Sequence, residues 1–149
     1  MALNRDFVGR EFPPSAPYEV SRVKIREFAA AIGDDNPIYR DREAAQAAGH
    51  PDVVAPPTFP IVFSLSGGGE ALASPDLGLN YAMVVHGEQR FEYTRPIHPG
   101  DLLVTTAKIT DIRSAGRNEL LTIRSEITTV DGEHVCTTYN TIVERGGAG

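Results

Sequence analysis

The second half of the chain constrains the fold most. From Tyr81 onward, apolar and polar residues alternate with a period of two through "MVVHGEQRFEYTRPI", "DLLVTTAKITDIRSA", "NELLTIRSEITTV" and "EHVCTTYNTIVER". Turn signals separate these runs at His98-Pro99-Gly100, Ala115-Gly116-Arg117 and Asp131-Gly132. The spacing predicts consecutive antiparallel hairpins, Asp-Gly being the sharpest signal because both residues tolerate the backbone angles of a tight turn. A sheet of this kind is apolar on one face and needs a cover.

The first half supplies candidates for that cover. After the proline-rich entry (Pro13, Pro14, Pro17), Ser21 is placed to cap a helix whose apolar positions Val23, Ile25, Phe28, Ala29 and Ile32 recur at near-helical spacing, with Gly33 as its stop. "DREAAQAAG" (Asp41 to Gly49) reads as a second short helix with an acidic first turn and a terminal glycine. In "HPDVVAPPTFPIVFSLSGGGEAL" the pattern predicts a short strand or edge, a proline stop, and a helix from about Pro57 to Leu72. That helix is apolar on nearly every face and has to be buried. The layout is α+β, with an antiparallel sheet curled around one long central helix.

At 149 residues the chain suits one domain, 1–149, burying roughly two-thirds of its unfolded surface. About residues 1–6 and 146–149 are expected to be flexible. No internal repeat or linker interrupts it. Net charge is -6 and the pI about 5.1, so no global field draws it to nucleic acid or anionic membrane. Cys136 stands alone, which excludes an internal disulfide framework and a zinc site of several thiolates; a reducing cytoplasm is the expected setting. The first residues lack a signal-peptide h-region, and no apolar run approaches the ~18 residues of a membrane span. Four histidines without ligand spacing and scattered acids predict no metal site.

"GDDNPIYRD", "VVAPPTF", "HGEQRFEYTRPIHPGD" and "DGEHV", in that order, resemble the MaoC-like hydratase/dehydratase family of hot-dog-fold proteins. The resemblance runs from about Phe7 to Arg145. It is closest to the small subunits of bacterial (3R)-hydroxyacyl-thioester dehydratases and to an uncharacterised group with a MaoC-type N-terminal dehydratase domain. It implies a single hot dog, usually paired into dimers. The implied substrates are acyl thioesters on coenzyme A or acyl carrier protein, threaded into a tunnel, with no further cofactor.

Active relatives carry an Asp, a nearby Asn-Pro and then a His. On this sequence those positions fall on Asp34, Asn36-Pro37 and Tyr39, so a tyrosine stands where the His is expected. Hydration of an enoyl thioester needs a base for water, an acid for the α-carbon and donors for the enolate oxygen. A tyrosine, with its ordinary pKa near ~10, is a poor base at neutral pH. Where active relatives place a His-Gly before the central helix, the corresponding stretch is Ala55-Pro56-Pro57, and proline has no N–H to offer an oxyanion. Unless Thr58 or Phe59 N–H substitutes at the helix start, the oxyanion donor is missing as well.

Asp34 is thus either a base, with Tyr39 as proton donor and Asn36 positioning water, or a turn former together with Asn36. His86 either lines the acyl tunnel or bonds a backbone carbonyl. Gln89 either donates into the site or packs across strands. His50, His98 and His134 lie beside turns and read as solvated. "SGGGEA" (Ser66 to Ala71) lacks the Lys-Ser/Thr of a phosphate loop. Arg90, Arg95, Arg113 and Arg117 are candidates for steering phosphates or an acidic carrier.

The leading reading is a subunit of an (R)-specific enoyl-thioester hydratase/3-hydroxyacyl-thioester dehydratase that binds the acyl chain while a MaoC-type partner supplies the Asp/His pair. The alternatives are a self-sufficient homodimeric hydratase using Asp34 with Tyr39 or His86, and a non-catalytic acyl-thioester binding or structural protein. Thioester hydrolysis ranks below these.

Overall fold

The computed structural model describes residues 2–67 and 69–148. In chain order its regular elements are β1 (Tyr18–Glu19), α1 (Arg22–Ala31), α2 (Arg42–Ala47), α3 (Gly69–Ala73), β2 (Val84–Tyr93), β3 (Leu102–Ala115), β4 (Asn118–Thr129) and β5 (His134–Glu144). Among the described residues the strands form one five-stranded antiparallel sheet in the order β1-β3-β4-β5-β2.

Local chemistry sets most of the element ends. Ser21 accepts a hydrogen bond from Lys24 N–H at 3.1 Å and starts α1, which buries Ile25 and Ala29. Gly33 ends it at φ +71°, a conformation that only glycine adopts freely. Asp41 caps α2 through Glu43 N–H at 2.9 Å. The β3–β4 hairpin turns at Gly116-Arg117, between the paired residues Ala115 and Asn118, and the β4–β5 hairpin turns at Asp131-Gly132.

Two expectations about larger elements fail. The His98-Pro99-Gly100 turn does not join a hairpin: β2 pairs with β5 at one sheet edge, and β3 lies beside β1 toward the other. A turn signal reports a change of direction and carries no information about which strand is met next. Nor is there one long helix over 57–72. That stretch is two 3₁₀ turns, Phe59–Val62 and Ser64–Gly67, followed by α3. Pro60 removes a helical donor, Ile61 and Val62 are β-branched, and each glycine costs about 1 kcal/mol relative to alanine in a helix. Residue 68 of the "SGGGEA" stretch lies outside the described residues. The segment 50–55 just before Pro56 forms no strand; Val54 and Ala55 N–H instead make single bonds to the carbonyls of Ile38 (3.1 Å) and Ile97 (2.9 Å).

Two apolar clusters occupy the sheet's covered face. One joins α1, Tyr39, Val53 to Ala55, Phe59 and Phe63 to Leu103, Ile127 and Val135. The other joins Leu3, Phe7, Ala71 and Leu77 to Ala107, Ile109, Leu121 and Ile142. Of the N-terminal residues expected to be flexible, Leu3 belongs to the core. Leu3 is buried, its N–H donates to Glu119 Oε1 at 2.9 Å, and Arg5 bridges to the same buried carboxylate. At the other end, Gly146 and Ala148 N–H bond Asn118 Oδ1 (3.2 Å) and Arg117 O (3.1 Å). Among the described residues no helix is long and apolar enough to cross a membrane.

This packing has two measurable consequences. The hydrogen bond from Arg5, with those from Ser114 and Leu3 N–H, holds the Glu119 carboxyl at about 2 against its ordinary 4.5. A depressed value contributes stability that is present above pH 4.5 and is lost as pH falls toward 2. Urea unfolding followed against pH should show that loss, and Glu119→Gln should flatten it while costing about 2 kcal/mol at neutral pH. Gly87 sits at a bulge in β2, where a Cβ would meet Val143 Cγ2 at 2.9 Å and Thr141 O at 3.3 Å. Gly87→Ala should cost about 1–3 kcal/mol in chemical denaturation, partly recovered by adding Val143→Ala.

Candidate active site

The acidic motif folds as two linked turns. Asp34 N–H closes α1 on Ala29 O at 2.9 Å, and Asp34 Oδ1 accepts Asn36 N–H at 3.1 Å. Asn36 Oδ1 in turn accepts Ile38 N–H at 3.2 Å and starts a 3₁₀ turn, Pro37–Tyr39. Arg40 donates to the Asp34 carbonyl at 3.1 Å. Asp34 is half-buried and Asn36 exposed, and their side-chain oxygens act on the backbone two residues on, as Asx turns do.

What the turns accomplish is to tuck Tyr39 inside, at 7% exposure. Burial, and then the Asp34 carboxylate nearby, raise the Tyr39 phenol above its ordinary value of 10. The group keeps its proton at neutral pH and is a donor, not a base. It has no hydrogen-bond partner among the described residues.

Tyr39 lines a mostly apolar groove of about 330 Å³. Ile38 comes from the same turn, His50 from the end of α2, Val54, Ala55 and Pro57 from the proline segment, and Tyr93 to Pro96 from the end of β2. Tyr93 O–H donates to Pro57 O at 2.6 Å and ties the last two walls together; burial raises its phenol as well. His50 and His98 stand with ring centroids 6.5 Å apart, and burial lowers the His98 pKa below 6.5. The size and lining suit an apolar chain with a polar end.

Of the catalytic and substrate-binding candidates, Tyr39 lines this groove, Asp34 acts on Tyr39 from outside it, and the others are dispersed. Phe59 is fully buried edge-on to Phe28, and its N–H is taken by Pro56 O at 2.9 Å. Thr58 is exposed, its N–H unpartnered among the described residues. His86 is exposed on β2 with Nε2 3.1 Å from Glu88 O. Gln89 lines a separate small space with Ser64, Ser125, Thr138 and Asn140, where Gln89 Oε1 and Asn140 Oδ1 have no partner among the described residues.

The basic candidates are largely neutralised. Arg95 is forked onto Asp101 at 2.9 and 3.0 Å, Arg90 pairs with Glu92 and Arg113 with Asp111. Cys136 is buried, with its thiol pushed up to about 12 by that burial. Among the described residues no group of three or more His, Cys, Asp or Glu side chains is placed to hold a metal. His50, Tyr93 and Arg95 enter the groove although no motif marks them as its lining; only Tyr93, two residues beyond the inward Phe91, carries a signal in its alternation.

The sequence model of the FAS1-like dehydratase domain region matches residues 6–138. The UPF0336 protein of Thermobifida fusca (strain YX) is 55% identical over 148 residues, covering 99% of this chain and 97% of the relative. The UPF0336 protein of Saccharopolyspora erythraea is 53% identical over 148 residues, covering 99% and 95%. Among solved structures, a chain of the C-terminally truncated HadBC (3R-hydroxyacyl-ACP dehydratase) complex from Mycobacterium tuberculosis superposes with TM-score 0.84 at 27% identity, covering 95% of this chain and 99% of that one. A MaoC-like dehydratase superposes with TM-score 0.85 at 33% identity, over 93% of this chain and 42% of that one. A chain of the ChsH1–ChsH2 complex from Mycobacterium tuberculosis gives 0.75 at 27% identity, over 93% and 86%. The curled sheet with its covering helices is the hot-dog fold of these structures.

Removing the Tyr93 hydroxyl tests how the groove is held. Tyr93→Phe should lower stability by about 1 kcal/mol, read by thermal or urea unfolding, because the Pro57 carbonyl loses its donor.

Proposed function

We propose a function within the family to which this chain belongs, that of the FAS1-like dehydratase domains of MaoC-like hot-dog proteins: it is the acyl-thioester-binding, non-catalytic subunit of a heteromeric hydratase/dehydratase. The chain is related to subunits of (3R)-hydroxyacyl-ACP dehydratases. The observation that carries the proposal is Tyr39, a phenol that holds its proton at the position where a basic imidazole is expected.

The neighbouring groups point the same way. The Asp34 Oδ1 that would polarise water accepts Asn36 N–H. In the stretch matched to the oxyanion donor, Ala55-Pro56-Pro57, the prolines have no N–H, and of the two substitutes Phe59 N–H is spent on Pro56 O, leaving the exposed Thr58 N–H. A site without a base and without a donor at the prolines forgoes the largest contributions to rate, while an apolar groove still binds and orients. The thioester, on coenzyme A or acyl carrier protein, lies with its acyl chain in the groove beside Tyr39. A second hot-dog subunit with an intact Asp and His performs the proton transfers. HadBC and ChsH1–ChsH2, whose structures are of complexes, support this arrangement by analogy.

The purified chain should leave the absorbance of a trans-2-enoyl thioester unchanged and should support turnover once co-expressed with an intact MaoC-type partner. Within that pair, Asp34→Ala should change kcat by less than about 3-fold, whereas Ile38→Trp, which narrows the groove, should raise KM about 10-fold with kcat retained. Turnover by the isolated chain, abolished by Asp34→Ala, would instead establish the self-sufficient hydratase.

A further inference from the structure

We propose that Tyr39 makes the groove selective for oxygenated acyl chains: its hydroxyl donates to a hydroxyl or keto oxygen on the bound chain, so a 3-hydroxyacyl thioester is held more tightly than the enoyl or saturated one. The inference rests on the groove holding a thioester and adds which form of it is held. It asks only binding of this chain, with no bond made or broken.

The side chains around the groove leave few groups free for a ligand. Tyr93 O–H donates to Pro57 O at 2.6 Å. Arg95 is committed to Asp101 and Glu133, and the Thr94 hydroxyl contacts His134 Nδ1. The Tyr39 hydroxyl and the His50 ring make no hydrogen bond among the described residues. A ligand affects these two differently. His50 is half-buried, with its ring turned to that of His98, and stays open to solvent. Tyr39 is only 7% exposed. Its hydroxyl is nonetheless absent from the side-chain atoms that are both sealed and unpartnered, so the little surface that Tyr39 shows includes the oxygen. The groove is the space that Tyr39 lines, and the hydroxyl opens into it.

In the empty groove water can accept from the phenol. A hydrocarbon chain displaces that water and strands the donor, which costs the desolvation of an O–H, whereas a chain with an oxygen at that level restores the bond. A buried polar group that one ligand pairs and its analogue strands discriminates more strongly than an apolar wall can. The ligand oxygen has to be a neutral acceptor. Tyr39 keeps its proton, and the Asp34 carboxylate, whose charge helps to hold it there, repels an anionic oxygen. Asp34 does not serve the phenol as acceptor: its Oδ1 takes Asn36 N–H, and no hydrogen bond joins it to Tyr39 among the described residues. Of the two forms that a hydratase/dehydratase interconverts, the 3-hydroxyacyl thioester alone carries an oxygen on the chain. The thioester carbonyl is common to both and does not separate them.

Calorimetric titration of the isolated chain with hexanoyl-CoA, trans-2-hexenoyl-CoA and 3-hydroxyhexanoyl-CoA tests the selection, in wild type and in Tyr39→Phe. Wild type should bind the hydroxyacyl form about 10-fold more tightly than the other two. Tyr39→Phe should raise that Kd to the level of hexanoyl-CoA and leave hexanoyl-CoA binding unchanged or tighter. Because the phenol has no partner to lose, the variant should melt at or above the wild-type temperature. A lower melting temperature with all three ligands weakened alike would mean that the hydroxyl supports the fold, and would overturn the selection. Equal weakening at an unchanged melting temperature would put the thioester carbonyl on the phenol, and would overturn it too. Equal binding of the three ligands by wild type would overturn the selection and leave acyl binding standing. Binding of none would remove the groove reading and this inference together.

Discussion

The concave face of the sheet has to be covered, and the segment that crosses it cannot be a single helix. Pro56, Pro57 and Pro60 delete successive donors, and the serine and glycine residues after Phe63 weaken any helix beyond it. The cover is therefore assembled from short turns that bury Phe59 and Phe63 individually. Between the start of that cover and the end of β2 a groove remains, closed at one side by the Tyr93–Pro57 hydrogen bond. The same prolines that break the helix have no N–H to offer, and with Phe59 N–H taken by Pro56 O, Thr58 N–H is left as the unpartnered donor of that segment among the described residues. Fold and site are consequences of one stretch of sequence.

The acidic motif illustrates how a shape can persist while chemistry changes. Asp34 and Asn36 are each spent on the backbone, where they build the turn that carries residue 39 inward. A histidine there would meet a half-buried carboxylate and could share its proton. A tyrosine meets the same carboxylate and is driven further toward its neutral form. Tyr39 is thus a wall and a donor, and under the proposed function the base is supplied by another subunit.

Legibility in the sequence tracks the range of the interactions involved. The Ser21 cap, the Gly33 stop, the short helix that starts after Asp41 and the turns at Gly116 and Gly132 depend on neighbours a few residues apart, and they stand where the sequence places them. Strand partnership does not: β2 joins β5 through contacts about fifty residues away, on the order of a loop closure that no local signal encodes. A single helix over 57–72 is the wrong reading of that stretch because apolar character on every face does not outweigh the cost of Pro60 and the glycines. Tyr93 and Arg95 lie inside the "HGEQRFEYTRPIHPGD" stretch and His50 beside "VVAPPTF", but nothing in those runs marks them as groove lining. They become neighbours when the end of β2 closes against the proline segment.

The central claim is that the groove binds the thioester beside a residue that cannot act as a base. Hydrogen exchange at the substrate reads this directly. The isolated chain would be incubated with a saturated acyl-CoA in deuterated water at a concentration where calorimetry shows it bound, and the α-carbon followed by NMR. The account predicts binding without deuterium at the α-carbon, and exchange only after a catalytic partner is added. Deuterium incorporated by the isolated chain, and lost with Asp34→Ala, would contradict it.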